Sequence, residues 1–456
     1  MRVPDRIVGC VFEPLWDLYE GSRRLKTMRE LASRQFDDVA VLDQRRSRRL
    51  NGIVVEAAAH VPFWRERFAS AGIDPEQVHH IADLAALPLM TKTDVRGRLD
   101  DMINDRFDRA DLTPAKTGGS TGTALHVFCD RDGIELRNGA ALLADTWSGW
   151  SLGQPTAAVW GNPPVPRSLR SKLRRQLKDR VIYLDTMKLD EAAVATFVAD
   201  WRCMRPGLLF GHAHSLFLFA EMAREWAAEL NPRGIVATSM MLLDHERRVI
   251  EDVFGVPVTN RYGCEEVSLI ACECERHQGM HLNDEHCWVE LLRDDGTPCA
   301  PGEDGRIVVT EFVNKGMPML RYEVGDRGVL HDRPCPCGRP GRLLRSLTGR
   351  TADFLVARDG SRVAGISLIE NTLTRLPGIG QLQVVQDDLE HILLNVAPAD
   401  GWNEDVAAEL IAVFSESLGG GHEVRIEIME RIPREANGKY RFSICRIPVT
   451  GGSRGR

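Results

Sequence analysis

Apolar residues recur at helical spacing through the long charged stretches of the first 110 residues, as in Leu25 to Ala59, and strand signals there are few. That region is expected to be mainly helical. From about residue 112, short β-branched or apolar runs (TALHVF, TAAVWG, GLLFG, GIVATS and RIVVTEF) alternate with helical stretches such as Glu191 to Arg202 and Ser215 to Leu230. Such alternation predicts an α/β core with sheets flanked by helices. Beyond about Arg350 the order becomes QLQVVQDD, HILLNVAP, a helix from Asn403 to Leu418, and EVRIEIMERI, which predicts a small α+β domain. The three glycines of SLGGGHE fit a turn closing that helix. No fixed-period repeat is present, which argues against a solenoid. The expected division is a large domain over 1–349, mainly helical over 1–110 and α/β over 111–349, followed by a small α+β domain over 350–456.

A chain of 456 residues exceeds what one core normally supports, in keeping with two domains. Its 58 Lys plus Arg against 65 Asp plus Glu give a formal charge of -7, so the broad basic surface of a nucleic-acid binder is not expected. The local basic run from Arg167 to Arg180 reads as a solvated helix face. No segment approaches the roughly 20 apolar residues that cross a bilayer, and MRVPDRIVGCVFEPLW lacks the long apolar stretch of a signal peptide. A cytoplasmic protein without a membrane partner is expected. Eleven cysteines, an odd number, favour reduced thiols or metal ligands over a disulfide framework.

The sharpest local signal is TGGSTGT at Thr117 to Thr123, between an irregular segment and the expected strand ALHVF. Gly118, Gly119 and Gly122 permit close backbone approach, and Ser120, Thr121 and Thr123 add hydroxyl donors, so the loop suits phosphate oxygens. It lacks the Gly-Lys-Ser/Thr ending of a Walker loop. Downstream, in order, come YGCEE at Tyr262 to Glu266, RYEVGD at Arg321 to Asp326, TGRTAD at Thr348 to Asp353 and PREANGKYR at Pro433 to Arg441.

This ordered series resembles the adenylate-forming superfamily of acyl-CoA synthetases and adenylation domains, over roughly Leu112 to Ser443. VPFWRERF followed by LAALPLMTKTDVR resembles, within it, phenylacetate-CoA ligases and their capsule-biosynthesis relatives. The resemblance implies a large adenylate-forming domain with a small mobile lid. It implies that Thr117 to Thr123 hold the β- and γ-phosphates of ATP, that Tyr262 lies against adenine beside Gly263, and that Glu266 coordinates magnesium through a hard oxygen donor. Asp326 would accept both ribose hydroxyls. Arg350 and Asp353 would form the hinge, and Lys439 would be the mobile lysine opposite the charge that develops at the α-phosphate. Two positions depart from the pattern: Glu265 stands where Ser or Thr is usual, and Glu323 with Val324 replace an Arg-Thr pair. The acyl pocket is expected between the phosphate loop, FGHAHS and the strand leading into YGCEE, with His212, His214 and Met240 as candidate lining residues.

ACECERHQGMHLNDEHC at Ala271 to Cys287 and PCPCG at Pro334 to Gly338 form a second constellation. A tight Cys-x-Cys turn plus a Cys and a His from another segment complete a tetrahedral, structural zinc site. Similar placements in zinc-bearing relatives of phenylacetate-CoA ligase imply Cys274, His281, Cys335 and Cys337 as ligands, with Cys272 and His277 as alternative donors. Cys264 has no base at a fixed offset to mark it as a nucleophile.

The function implied is ATP- and Mg2+-dependent activation of a carboxylic acid, aromatic by subfamily, followed by transfer to CoA or another thiol or amine. A carrier protein would be a separate chain, and a homodimer is compatible with the reading. The rival of another class is a non-catalytic nucleotide-binding regulator, which has little need of Lys439.

Overall fold

The computed structural model describes residues 4–116, 125–160, 168–186, 190–350, 354–359, 362–365, 368–369, 372–373, 376, 378–433 and 441–447. Its chain divides into two compact units: Met1–Leu242 with Glu246–Val324 and Gly328–Leu347, and Leu243–His245 with Gly325–Arg327 and Thr348–Arg456.

The first hundred or so residues of the larger unit are helical, led by Arg24–Arg34, Val39–His60 and Pro62–Ala71. In Val39–His60 the buried residues Leu50, Ile53, Val54 and Ala57 recur three and four apart, which puts one apolar stripe against the core. Pro62 starts the next helix and Gly72, in the left-handed region at φ 66°, ends it, each where its backbone preference is satisfied. Trp64 of that helix is fully buried, and its indole N–H donates to the Pro318 carbonyl at 3.0 Å.

Among the described residues, eleven strands form one sheet. Its spatial order is Cys287–Leu292, Asp304–Glu311, Tyr322–Leu330, Leu343–Arg350, Met280–Leu282, Ser268–Glu273, Val258–Cys264, Gly234–Thr238, Leu208–His212, Thr156–Trp160 and Val181–Asp185. From Val181–Asp185 through Val258–Cys264 neighbouring strands run parallel. At Val258–Cys264 the direction changes, and Ser268–Glu273 and Met280–Leu282 continue antiparallel. Parallel strands are covered on both faces, so they read as apolar runs rather than alternations; all five residues of Gly234–Thr238 are buried. On one face Val159, Leu209, Ile235 and Ala237 pack against Phe197 and Trp201 of the helix Glu191–Met204, Phe219 of Ala213–Met222 and Ile250 of Asp244–Phe254. On the other, Leu208 and Val236 meet Trp150 and Leu142.

The segment before the glycine-rich loop, expected to be irregular, is the strand Thr113–Lys116, paired antiparallel with His126–Cys129. A four-residue strand carries too little alternation to be recognised before its partner is known. Residues 117–124 lie outside those described, and the pair fixes their flanks by setting Lys116 opposite His126. The expected helix over Ser215 to Leu230 is shorter, Ala213–Met222 followed by a 3-10 turn at Arg224–Trp226.

The smaller unit has a four-stranded sheet in the order Glu423–Ile428, His391–Pro398, Ile379–Gln386 and Ser443–Cys445. Its helix Glu404–Ser417 is capped by Asn403, whose side chain accepts from the Val406 N–H, and buries Leu410 and Phe414. Gly419, Gly420 and Gly421 follow it at positive φ.

Phe219 makes an edge contact with Phe197 at 5.4 Å and stacks on Phe254 at 5.7 Å, joining three helices. Phe219→Ala is expected to cost about 3–5 kcal/mol of stability, measured by denaturant unfolding; a loss within the range of surface substitutions would contradict this packing.

Candidate functional site

The parallel strands end on one side of the sheet, where ligands of open α/β folds gather, and the strand Val258–Cys264 delivers YGCEE there. The strand continues through Tyr262, Gly263 and Cys264 because it pairs with Ser268–Glu273, with an irregularity between Tyr262 and Gly263. A Cβ at Gly263 would collide with the Ser268 carbonyl oxygen, so the hairpin needs glycine there. Tyr262 is buried in the core of the larger unit. In the turn beyond, Glu265 is exposed and Glu266 buried, so the position that departs from the family pattern faces solvent.

Glu266 is held at both ends. The Tyr322 hydroxyl donates to its Oε1 at 2.7 Å, and Nη2 of Arg137 donates to its main-chain oxygen at 2.7 Å. Arg137, on the helix Arg131–Trp147, also forks onto Glu311, with Nε to Oε1 and Nη2 to Oε2 both at 2.7 Å. Burial alone would lower the guanidinium pKa, and the adjoining Glu311 carboxylate outweighs it, raising the pKa and keeping the charge in place. A buried carboxylate oxygen held at a turn suits a hard dication, so the residues present fit magnesium.

Of the other expected residues, Thr117, Gly118, Gly119, Ser120, Thr121, Gly122, Thr123, Asp353 and Lys439 lie outside those described. Arg350 ends the strand Leu343–Arg350, and Asp326 is half-buried on Tyr322–Leu330. His212 ends the parallel strand Leu208–His212 and lies 4.0 Å from the Trp160 ring, centroid to centroid. His214 is buried against Glu246, Nδ1 to Oε1 at 2.6 Å, tying two helices together. Met240 is half-buried against the core beneath those helices.

The cysteine segments converge. Ligand atoms of Cys274, His281, Cys335 and Cys337 lie within 4.8 Å of one another. Cys274 Sγ and Cys335 Sγ are 3.7 Å apart, close to the about 3.8 Å that two 2.3 Å zinc–sulfur bonds subtend at the tetrahedral angle. Cys337 Sγ is 3.3 Å from His281 Nε2. The Arg276 and Arg339 amides donate to Cys274 and Cys337 Sγ. Burial pushes the Cys274 thiol up to about 12 and His281 down to about 4, the latter aided by Arg339. A neutral imidazole is the state that donates to a metal, and a cation would reverse the penalty on the thiols. The donor set fits zinc. Cys272 and His277, the alternatives, are engaged elsewhere: Cys272 with the Glu273 carbonyl and His277 with the Glu273 carboxylate.

Sequence reasoning missed Arg137 and Glu311, which no motif marks, and Tyr322, which lies in RYEVGD next to Glu323, Val324 and Asp326. It also missed His286, buried, with both ring nitrogens lacking a hydrogen-bond partner among the described residues.

Comparison with known proteins agrees with this architecture. Residues 355–446 match the CapK C-terminal domain family. The chain is 24% identical over 436 residues to a phenylacetate-coenzyme A ligase of Thermus thermophilus, covering 89% of this chain and 91% of that one. It is 23% identical over 373 residues to Protein CapK of Staphylococcus aureus, covering 80% and 81%. A crystal structure of 2-hydroxyisobutyryl-CoA ligase superposes with a TM-score of 0.74 at 20% identity, covering 90% of this chain and 91% of that one, and shows the fold. The class is thus the adenylate-forming ligase fold. Within it, the chain is similar to phenylacetate-coenzyme A ligases and Protein CapK over most of its length, and residues 355–446 are similar to the CapK C-terminal domain.

Burial, with Arg49 and Arg137 nearby, pushes His286 down to about 3. Unfolding therefore takes up a proton between about pH 6.5 and 3. The stability from keeping the ring neutral is complete above pH 6.5 and is lost as pH falls. His286→Leu should flatten unfolding free energy against pH in that window by about 1.4 kcal/mol per pH unit; parallel curves for the two proteins would refute the assignment.

Proposed function

We propose that this protein activates a carboxylic acid with ATP, releasing pyrophosphate, and passes the acyl group to CoA or another thiol or amine. What carries the reading is likeness along nearly nine-tenths of the chain to a phenylacetate-coenzyme A ligase, together with the buried Glu266 carboxylate beyond the parallel strands. In the first half-reaction a carboxylate oxygen attacks the α-phosphorus, the α–β anhydride bond breaks and pyrophosphate leaves. In the second, a thiol sulfur or an amine attacks the acyl carbon and AMP departs.

In this proposal residues 1–349 form the adenylating domain and 350–456 the lid. Thr117 to Thr123 hold the β- and γ-phosphates, Tyr262 and Gly263 border adenine, and Asp326 receives the ribose hydroxyls. Lys439 steadies the charge growing at the α-phosphate without reorganisation, and Arg350 and Asp353 serve the hinge. His212, His214 and Met240 belong to the acyl side, and the acid is aromatic. Glu266 would hold magnesium, which would supply positive charge to offset that of the phosphates. Cys274, His281, Cys335 and Cys337 would hold zinc as a closed, structural site, which would offer no position for an activating water. A cytoplasmic setting and a homodimer accord with the same proposal, which needs neither nucleic acid nor membrane. Among the described residues no helix is long and apolar enough to cross a bilayer.

Purified protein is expected to exchange labelled pyrophosphate into ATP when offered aryl or alkyl acids, fastest with an aryl acid; no exchange with any acid would end the proposal. In the same assay Lys439→Ala should slow adenylate formation by about 10²–10³-fold and leave thiolysis of a supplied acyl-adenylate within a few-fold, whereas equal loss of both half-reactions would contradict the role given to Lys439.

Elemental analysis of protein purified without chelator should find about one zinc per chain, and Cys337→Ser should remove most of it. Protein free of zinc from the outset would show that the cluster is a set of thiols only.

A further inference from the structure

Residue 266 is anchored from two independent elements. The anchor on its main chain is Arg137, and the anchor on its carboxylate is Tyr322. Both are buried, Tyr322 completely, and Glu311, which completes the guanidinium fork, is 1% exposed. Glu311 is itself fixed by the sheet: it stands opposite Cys287, and its N–H donates to the Met319 carbonyl at 2.8 Å.

An arrangement meant only to pin a helix to a sheet has a cheaper solution. Apolar side chains of similar volume often hold such contacts as well as a buried ion pair, whose desolvation offsets most of its attraction. The fork adds direction. Nη2 of Arg137 serves Glu311 and the Glu266 carbonyl together, so the position of the turn is tied to the position of the strand. The Tyr322 ring, rigid and enclosed, then selects one orientation of the Glu266 side chain.

We infer that Arg137, Glu311 and Tyr322 are positioning residues that present the Glu266 carboxylate, already oriented, to the magnesium ion accompanying ATP. The inference rests on the proposed function, in which Glu266 is the metal ligand. Removing an outer partner of a metal-ligating carboxylate typically weakens metal binding tenfold or more. A packing role would instead appear as lost stability with metal affinity intact.

The discriminating variant is Tyr322→Phe, which deletes one hydroxyl and keeps the ring. Binding of Mn2+ to the full chain with a non-hydrolysable ATP analogue, followed by electron paramagnetic resonance, should weaken about tenfold. The Mg2+ concentration giving half-maximal pyrophosphate exchange should rise by a similar factor, with the rate at saturating Mg2+ kept within about twofold. Arg137→Lys, which keeps charge but loses the fork, should act in the same direction. Should Arg137→Lys fail to fold, Tyr322→Phe carries the test alone. Wild-type metal affinity in Tyr322→Phe, with or without a lower melting temperature, would overturn the inference and leave the ligase reading standing. A wild-type protein that neither exchanges pyrophosphate nor binds Mn2+ with the analogue would overturn both.

Discussion

A guanidinium–carboxylate fork in the interior of the larger unit sets the geometry on which the candidate site depends. Arg137 and Glu311 are both nearly inaccessible, and their burial costs several kcal/mol per ion before their attraction offsets it. Such a pair adds little net stability, yet with either partner gone the other is left charged and unpaired, a loss of about 3–5 kcal/mol. Its consequence is therefore register more than strength. The start of the same helix is fixed separately: Asp130 accepts from the Gly133 N–H as its cap and also from the Lys315 and Gly316 amides. Two polar attachments, one at the first turn and one further along the helix, leave it no freedom to slide over the strands.

The second constraint is the change of strand direction at Val258–Cys264. Parallel strands need helical crossovers, and those helices bury both faces of that half of the sheet. An antiparallel hairpin needs only a short turn. Where one pattern gives way to the other, a turn emerges between Val258–Cys264 and Ser268–Glu273, and Glu266 lies in it. Gly263 lets the hairpin close, because the Ser268 carbonyl occupies the space that any side chain would take. Burial of Glu266 beside exposed Glu265 follows from the same turn, which sends adjacent side chains to opposite environments.

The cysteine and histidine cluster has a comparable origin in strand pairing. Met280–Leu282 pairs with Ser268–Glu273 on one side and with Leu343–Arg350 on the other, so His281 is brought near both cysteine segments at once. Cys272 is His281's direct cross-strand partner by register, yet the cluster takes Cys274, just past the end of that strand. Register places backbones, and the direction of each side chain decides which sulfur is available.

Much of this was legible in the chain itself. Apolar runs such as GIVATS and GLLFG marked strands of an α/β core, and their lack of alternation fits strands covered on both faces. Asn403 and the glycines at 419 to 421 marked a helix start and stop through their own backbone and capping chemistry. The motif YGCEE and the Cys-x-Cys of the second segment announced a carboxylate and a thiolate set, since those residue types carry their chemistry wherever they stand. The sequence by itself thus determined the class of fold, the order of its elements and the residues able to bear charge or bind metal. Only the tertiary structure decided that Arg137 and Glu311, 174 positions apart, share one fork and that Tyr322 grips Glu266. The same packing brings Cys274, the sulfur that the resemblance implied, rather than Cys272 into the cluster with His281. Those choices depend on long-range register and side-chain direction, which exist only after distant segments pack and which no local spacing encodes.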